Sequence, residues 1–178
     1  RSSTMDSARS FIDIDAPGFA RFDVSMREDG FDLDAVLLTT DSTYTPAEPA
    51  PVPNSTTQAE GATRASAPIQ DEHAGFNGSG YVNLGASGSS VEFEPDGGGG
   101  GLARLTFRFA NGSTANRTAS LFVNGASVGT IVAAPTGGWS TWSTVSVDVA
   151  FGSGTNTVRL QTTGQDWGNL DQLSVAAV

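Results

Sequence analysis

Apolar and polar residues alternate with a period of two along much of the chain. The pattern is clearest in five short segments, which are YVNL from Tyr81, SVEFE from Ser90, LARLTFRF from Leu102, TASLFVN from Thr118 and STVSVDVA from Ser143. Such alternation is typical of strands with one buried and one exposed face. Turn sequences such as Asn124-Gly125 separate the segments. The pattern predicts an all-β fold, an antiparallel β-sandwich of the jelly-roll-like type.

An internal repeat divides the chain. Residues 29–36, DGFDLDAV, align without a gap with residues 166–173, DWGNLDQL, and an alternating segment precedes each copy. A repeat of this kind indicates two related modules. The first copy stands too near the start of the chain to close a complete module. Residues 1–43 are therefore predicted to be the C-terminal strands of a preceding, related β module that is incomplete here.

A proline-rich segment follows the first copy. Residues 44–57 read YTPAEPAPVPNSTT and contain four of the eight prolines, which predicts an extended linker. Residues 58–178 are long enough for one sandwich-sized core. Within them, the run Gly97 to Gly101 is predicted to be a hairpin loop, because it lacks the Lys-Ser/Thr of a phosphate-binding loop.

Charge and composition exclude several classes of function. The net charge is -10, all nine basic residues are arginines, and no cysteine is present. An acidic chain repels phosphate backbones, so a nucleic-acid partner is not expected. No stretch approaches the roughly 20 apolar residues of a membrane span, so a membrane partner is not expected either. Disulfides and thiolate chemistry are excluded.

The sequence offers no convincing catalytic group. His73 is the single histidine, and no serine has a Gly-x-Ser-x-Gly setting, so a Ser-His-Asp triad is not expected. His73 is interpreted as a loop residue. Glu92 and Glu94 alternate with apolar neighbours, which places them on the solvent face of a strand. The chain is predicted not to be an enzyme.

Three oxygen-bearing side chains could form a metal site. Gln58 and Glu60 share a face at the start of the module, and Asp171 lies in its last strand. First and last strands of a sandwich commonly lie side by side, and such carboxylate and amide oxygens suit Ca²⁺. The alternative is that these are ordinary charges at a sheet edge.

The tryptophans are the other informative residues. Trp139, Trp142 and Trp167 all lie at or beside glycine-rich turns, where a flat side chain can be partly exposed and stack on a sugar. The alternative is that each fills the core. Of the two that lie three residues apart, Trp142 is expected to be the core residue.

An ordered set of motifs carries a resemblance to a known family. QAE from Gln58, GFNGSGYVNLG from Gly75, SVEFE, LFVNG, TGGWSTWSTV, GTNTVRL and NLDQLSV occur in that order over about residues 57–176. Together they resemble the carbohydrate-binding modules of families 6 and 35. The resemblance implies a non-catalytic β-sandwich that binds polysaccharide and is usually appended to a secreted glycoside hydrolase or polysaccharide lyase.

The resemblance also implies site residues. A structural Ca²⁺ would be held by Glu60 and Asp171, with Gln58 at a position where an acid or amide is usual. The sugar site would lie in loops at one end of the sandwich. Its aromatic walls would be Tyr81 and Trp139, with Trp167 as an added wall and Asn169 as the amide.

Two other functions remain open at this stage. One is a structural or adhesion module with a degenerate sugar site, and the other is an enzyme fragment. The identity of the bound sugar is also open. A uronic acid would need a cation or an arginine at the site, and Arg104, Arg108 and Arg117 cannot be placed there from sequence.

Overall fold

The computed structural model describes residues 49–178, which form two antiparallel sheets. The first sheet is six-stranded and contains β1 (Ser55–Gln58), β3 (Ile69–Gln70), β4 (Tyr81–Leu84), β6 (Gly101–Ala110), β9 (Ser143–Phe151) and β11 (Gly168–Ala177). The second is five-stranded and contains β2 (Thr63–Ala65), β5 (Ser90–Phe93), β7 (Arg117–Val123), β8 (Ala126–Ala133) and β10 (Val158–Thr162). A 3₁₀ turn, Ala59–Gly61, separates β1 from β2. The prediction of an all-β sandwich is confirmed.

Long central strands organise each sheet. In the first sheet the order is β3-β4-β11-β6-β9, and β1 pairs with the second half of β11. In the second the order is β2-β5-β10-β7-β8. The inward residues of both sheets form one apolar core, which includes Phe93, Phe107, Leu121, Leu160 and Leu173. These side chains alternate with exposed polar ones, as expected for sheets that pack on one face.

The ends of the strands define two opposite ends of the sandwich. At one end Asn169 of β11 lies opposite Ala110 of β6, and Ser143 of β9 lies opposite Phe109. At the other end Ala177 lies opposite Ala103. The loops of residues 111–116, 134–142 and 163–167 therefore lie together at the first end.

The end of the linker and the role of the glycine-rich loop differ from the prediction. Of the predicted linker 44–57, Val52 is buried in the core and β1 begins at Ser55. The predicted loop covers only Gly97 to Gly100, because Gly101 begins β6, and it crosses between the two sheets instead of closing a hairpin, because β5 and β6 belong to different sheets. The predicted partial module, residues 1–43, lies outside the described residues.

No helix among residues 49–178 is long and apolar enough to cross a membrane.

Candidate functional site

A small aromatic cluster lies on the outer side of the first sheet. Tyr81 alternates with the core residue Val82, so its ring points away from the core. The loop before β4 covers it, and Phe76 of that loop packs at a centroid distance of 5.9 Å. Trp142 meets the Tyr81 ring edge-on at 5.6 Å. The cluster therefore joins the loop of residues 71–80 to the loop that leads into β9.

His73 connects Tyr81 to Trp139. Its ring stacks on that of Tyr81 at a centroid distance of 6.0 Å and on that of Trp139 at 6.3 Å, with interplanar angles of 23° and 22°. Its interpretation as a plain loop residue is incomplete, because the loop places it within the aromatic cluster. Nothing in the surrounding sequence distinguished it from other loop residues.

Trp139 is half-buried and lies flat on the backbone of Gly112. A Cβ atom at Gly112 would stand 2.5 to 2.6 Å from three atoms of the indole ring, closer than any real Cβ contact. The guanidinium carbon of Arg117 lies 5.2 Å from the centroid of the Trp139 ring. Trp139 is thus held in a defined orientation while part of its surface remains accessible, as a sugar platform requires.

Asn111 fixes the loop beneath Trp139. Its fully buried amide donates to the carbonyls of Ala115 at 2.9 Å and Ala133 at 2.8 Å. Its backbone N–H donates to Thr136 Oγ1 at 3.1 Å, and the Thr136 N–H donates to its carbonyl at 2.9 Å. These bonds hold the loops of residues 111–116 and 134–142 together, so the orientation of Trp139 is set by buried hydrogen bonds.

Asn169 supplies an unpaired buried donor. It pairs in register with Ala110 of β6, two residues before Gly112, and its side chain is 2% exposed. Within residues 49–178 its Nδ2 atom has no hydrogen-bond partner. A buried amide donor that lacks a partner is costly, and a ligand hydroxyl would satisfy it.

Two of the predicted aromatic walls are corrected. Trp167 is fully buried in the core, and its indole N–H donates to the carbonyl of Ile131 at 3.1 Å. Tyr81 is also fully buried, so its ring supports the cluster but offers no free face to a sugar. Trp167 enters the core just before β11 begins, and Tyr81 is covered from outside the sheet by the loop before β4; strand parity alone did not show either.

Trp142 also differs from its prediction as a core residue. It is half-buried and is not part of the core between the sheets. Its indole N–H donates to the carbonyl of Ala74 at 3.0 Å, and the guanidinium carbon of Arg108 lies 5.0 Å from its ring centroid. Trp142 therefore fastens the loop of residues 71–80 to the sheet.

Burial perturbs the titration of Tyr81. Desolvation is the largest cause that raises its pKa, to about 12, and the hydrogen bond from its hydroxyl to Glu72 Oε2, at 3.2 Å, adds to the effect. The nearby Asp71 acts in the same direction. Tyr81 is therefore neutral at any physiological pH.

The predicted metal ligands fall into two groups. Gln58 Oε1 and Glu60 Oε2 are buried and have no hydrogen-bond partner within residues 49–178. A Cβ atom at Gly78 would stand 2.2 Å from Glu60 Oε1 and 3.3 Å from Gln58, so the loop closes tightly over both side chains. Two buried oxygens without donors fit a hard cation such as Ca²⁺.

Asp171 is engaged differently. Its Oδ1 atom accepts from the Asn77 N–H at 2.8 Å, and its Oδ2 atom accepts from Asn77 Nδ2 at 3.1 Å and forms an ion pair with Arg108. The structure therefore gives an unpaired oxygen to two of the three predicted ligands and not to Asp171. Among the described residues, no three acidic or histidine side chains form a metal-binding cluster by themselves.

Gly112 and Arg117 are site residues that the sequence did not indicate. A glycine beside Asn111 reads as an ordinary turn, and its contact with Trp139 spans two loops that are distant in sequence. Arg117 opens β7 and was indistinguishable from the other arginines. Only the topology brings both to Trp139.

Known proteins share this fold and sequence. The family model described as "Carbohydrate binding module (family 6)" matches residues 58–177. An endo-1,4-beta-xylanase B and an alpha-L-arabinofuranosidase C, both from Cellvibrio japonicus, are each 43% identical over 119 residues, or 65% of this chain. The match spans 20% and 19% of those two proteins, so the chain corresponds to about a fifth of their length.

Solved structures give the same result. A family 35 carbohydrate binding module from Clostridium thermocellum has a TM-score of 0.67 at 32% identity, covering 71% of this chain and 99% of that one. A family 35 module from Paenibacillus barcinonensis also has a TM-score of 0.67, at 35% identity, covering 70% of this chain and 99% of that one. Modules of this kind are non-catalytic. The chain belongs to the carbohydrate-binding modules of family 6.

Proposed function

We propose that the chain binds polysaccharide at the end of the sandwich that carries Trp139. The observation that carries the proposal is the combination of a half-buried Trp139, laid on Gly112, with the unpaired buried amide of Asn169. A sugar ring presents an apolar face rimmed by hydroxyls. An aromatic platform and a directed polar group are the two elements that such a ligand needs.

Each element has a separate part in binding. Stacking on Trp139 buries the apolar face of the ring, and Asn169 Nδ2 donates to a hydroxyl and so fixes the sugar in the plane of the platform. His73 extends the aromatic surface toward Tyr81. A single aromatic contact of this kind contributes on the order of 1 kcal/mol, so binding is modest and fast to reverse.

Calcium is the proposed structural metal. Gln58 Oε1 and Glu60 Oε2 would hold it, together with backbone carbonyls, and the ion would neutralise buried oxygens that have no donor. Asp171, the third ligand expected from the family, would not bind the ion directly. It would accept the hydrogen bond from Asn77 and so hold the loop over the metal site. The ion would join β1 to the loop before β4.

The module is proposed to tether an attached catalytic domain to its substrate. The relatives named above are glycan-processing enzymes in which the matching segment is a small part of the whole. Attachment raises the effective concentration of a catalytic domain near an insoluble polymer even when each binding event is weak. We propose an extracellular location, because such polymers lie outside the cell, and no catalytic activity of the chain itself.

One observation favours a second function. The ring of Tyr81 is fully buried, so the site has one accessible aromatic wall where two were expected. A structural or adhesion module with a degenerate sugar site would show this feature.

A glycan array, read with and without EDTA, tests the proposal. The chain should bind one or more plant or microbial polysaccharides, and Trp139→Ala should weaken binding about tenfold or more while the melting temperature changes little. Trp142→Ala is the matched control, because its ring fastens a loop and its loss should mainly lower the melting temperature. A silent array would favour the structural module, and hydrolysis of any glycan by the pure chain would contradict the non-catalytic assignment.

A further inference from the structure

The arginines of the described region are all engaged. Arg104, Arg108 and Arg117 form ion pairs with Asp148, Asp171 and Asp166, Arg159 lies 4.0 Å from Glu92, and Arg64 donates to two backbone carbonyls. The chain has no lysine. Residues 49–178 therefore hold no basic side chain that a sugar carboxylate could reach without competing with an existing partner.

Arg117 is the arginine next to the platform. Its guanidinium lies over Trp139, its Nε donates to Ser113 Oγ at 3.0 Å, and one terminal nitrogen contacts both the carbonyl and the carboxylate of Asp166. The side chain of Arg117 is 19% exposed and that of Asp166 is 40% exposed. Both side chains are therefore partly open to solvent, although Asp166 Oδ1, the oxygen nearest Arg117, is itself buried.

The backbone of Asp166 is anchored by the next residue. The Trp167 N–H donates to the carbonyl of Leu84 at 2.8 Å, and its buried indole donates to Ile131. A fully buried ring so close in sequence leaves little freedom to the loop that carries Asp166. The ion pair is therefore positioned by the core and not by chance contact between two flexible side chains.

The remaining charges around the cluster are negative. Glu72 accepts the hydroxyl of Tyr81, and the neighbouring Asp71 acts on the same hydroxyl. Within this part of the structure, Arg108 is already paired with Asp171. A sugar carboxylate brought to Trp139 would meet an arginine that is already neutralised, and the carboxylates of Asp71 and Glu72 on the far side of the cluster would repel it.

We propose that Asp166 is a specificity-determining residue, which makes the site select uncharged sugars and reject uronic acids. The inference rests on the proposed function, since it concerns the same site. A uronic acid can bind Arg117 only by displacing Asp166, and the displaced carboxylate then repels the ligand. A neutral sugar leaves the pair intact and uses Trp139 and Asn169. Specificity here comes from an unfavourable interaction with the wrong ligand.

The test compares neutral sugars with acidic counterparts that carry one carboxylate more. The two pairs are xylo-oligosaccharides with and without a glucuronic acid branch, and the methyl glycosides of galactose and galacturonic acid. Each is titrated into the wild-type chain and into Asp166→Asn at one fixed calcium concentration. The asparagine keeps the size and an acceptor oxygen of Asp166 and removes its charge, so the loop is preserved while the positive charge of Arg117 is no longer neutralised.

The expected result is a change in preference and not in overall binding. Wild type should bind the neutral member of at least one pair more tightly. Asp166→Asn should keep its affinity for that neutral sugar and gain about tenfold for the acidic one, the value of a new charge-assisted hydrogen bond. The gained affinity should fall as salt is raised, whereas neutral binding should not.

Asp148→Asn is the matched control. It frees Arg104 on the exposed face of the first sheet, away from the loops, and should leave the neutral-to-acidic ratio unchanged. A wild type that prefers the acidic members, or an unchanged ratio in Asp166→Asn, would overturn the inference and leave the proposed function standing. A wild type that binds no sugar at all, on these pairs or on the array, would overturn both.

Discussion

Gly112 shows how a single missing methyl group determines the shape of the site. The indole of Trp139 occupies the space in which a Cβ atom would lie, and Asn111 fixes the backbone at that point. Glycine is needed here for close approach and not for an unusual backbone angle, since its φ is not in the left-handed region. At the scale of one residue, the site depends on contacts that leave no mark in the local sequence.

Gly112→Ala should therefore disable the platform without unfolding the module. A Cβ at 2.5 Å forces either the ring or the loop to move, so sugar affinity should fall about tenfold, as for Trp139→Ala, with a small loss of melting temperature. Titration calorimetry would measure the fall in sugar affinity, and the wavelength of tryptophan emission would report the movement of the ring. Gly138→Ala is the control in the tryptophan loop, because a Cβ there meets Thr141 at an ordinary 3.4 Å. Equal losses in both variants would contradict the argument.

The hydroxyl of Tyr81 should make the folded module less stable at alkaline pH. Burial raises its pKa to about 12, from 10 in the unfolded chain, so the folded state favours the neutral form. The contribution of Tyr81 to the free energy of unfolding is fully present below pH 10. It falls by about 2 to 3 kcal/mol as the pH rises from 10 toward 12. Urea unfolding at pH 8 to 11.5 would measure it.

The comparison that identifies the group is Tyr81→Phe. This variant should be less stable at pH 8, because Glu72 loses a donor, and should show a weaker decline above pH 10. If the decline is the same in both proteins, another group is responsible.

At the scale of elements, the sequence predicted strands well where alternation was long and poorly at the edges. β4, β6, β7 and β9 lie where the alternating segments predicted them, and the turn Asn124-Gly125 has the positive φ values of 51° and 78° that a tight hairpin requires. β8 was missed, because it is an exposed edge strand whose pairing shifts at a bulge beside Gly129, so alternation is interrupted.

The site was harder to predict than the strands. Trp139 and Asn169 were chosen from their motifs, whereas the burial of Trp167 and the partial exposure of Trp142 are the reverse of the preferred predictions. All three tryptophans follow glycine-rich turns, and the direction of such a side chain depends on which loop packs over it. That packing is a property of several distant segments together.

Asn156 links the β7–β8 turn to its own loop, between β9 and β10, at the end opposite to the site. Its Oδ1 atom accepts from Asn124 Nδ2 and the Gly152 N–H, each at 2.8 Å, and its Nδ2 atom donates to the carbonyls of Gly152 and Gly154 at 2.9 Å. The residue is 1% exposed. An asparagine can satisfy both kinds of backbone group at once, which no apolar residue can do.

Asn156→Ala should lower the free energy of unfolding by about 2 to 4 kcal/mol, because several buried groups lose their partners together. Asn156→Asp keeps the acceptor and loses the donors, so its loss should be intermediate. Chemical denaturation measures both. Sugar affinity of the folded protein should be unchanged, and a loss below 1 kcal/mol for alanine would show that water replaces the side chain.

At the scale of the whole molecule, the proposed calcium ion would connect the first strand to the loop over it. Excess calcium should stabilise the module by about 2 to 3 kcal/mol at a concentration one hundred times the Kd, and EDTA should remove this gain. Thermal melts with and without calcium measure it. Glu60→Gln should abolish the response, and Glu94→Gln, at an exposed position just after β5, should not. Identical midpoints in wild type, with no metal in elemental analysis, would contradict the proposal.

The pairing of β1 with the end of β11 has a further consequence. Ser55 lies opposite Val175, so the chain enters and leaves the sandwich at the same end, while the loop of Trp139 lies at the other. The length of β11, at about 3.4 Å per residue, separates the two ends by about 30 Å. The module is therefore a spacer as well as an anchor. We expect a catalytic domain joined to either terminus to cleave polysaccharide chains that lie beside the bound one. The module would then stay bound to the polymer after each cleavage.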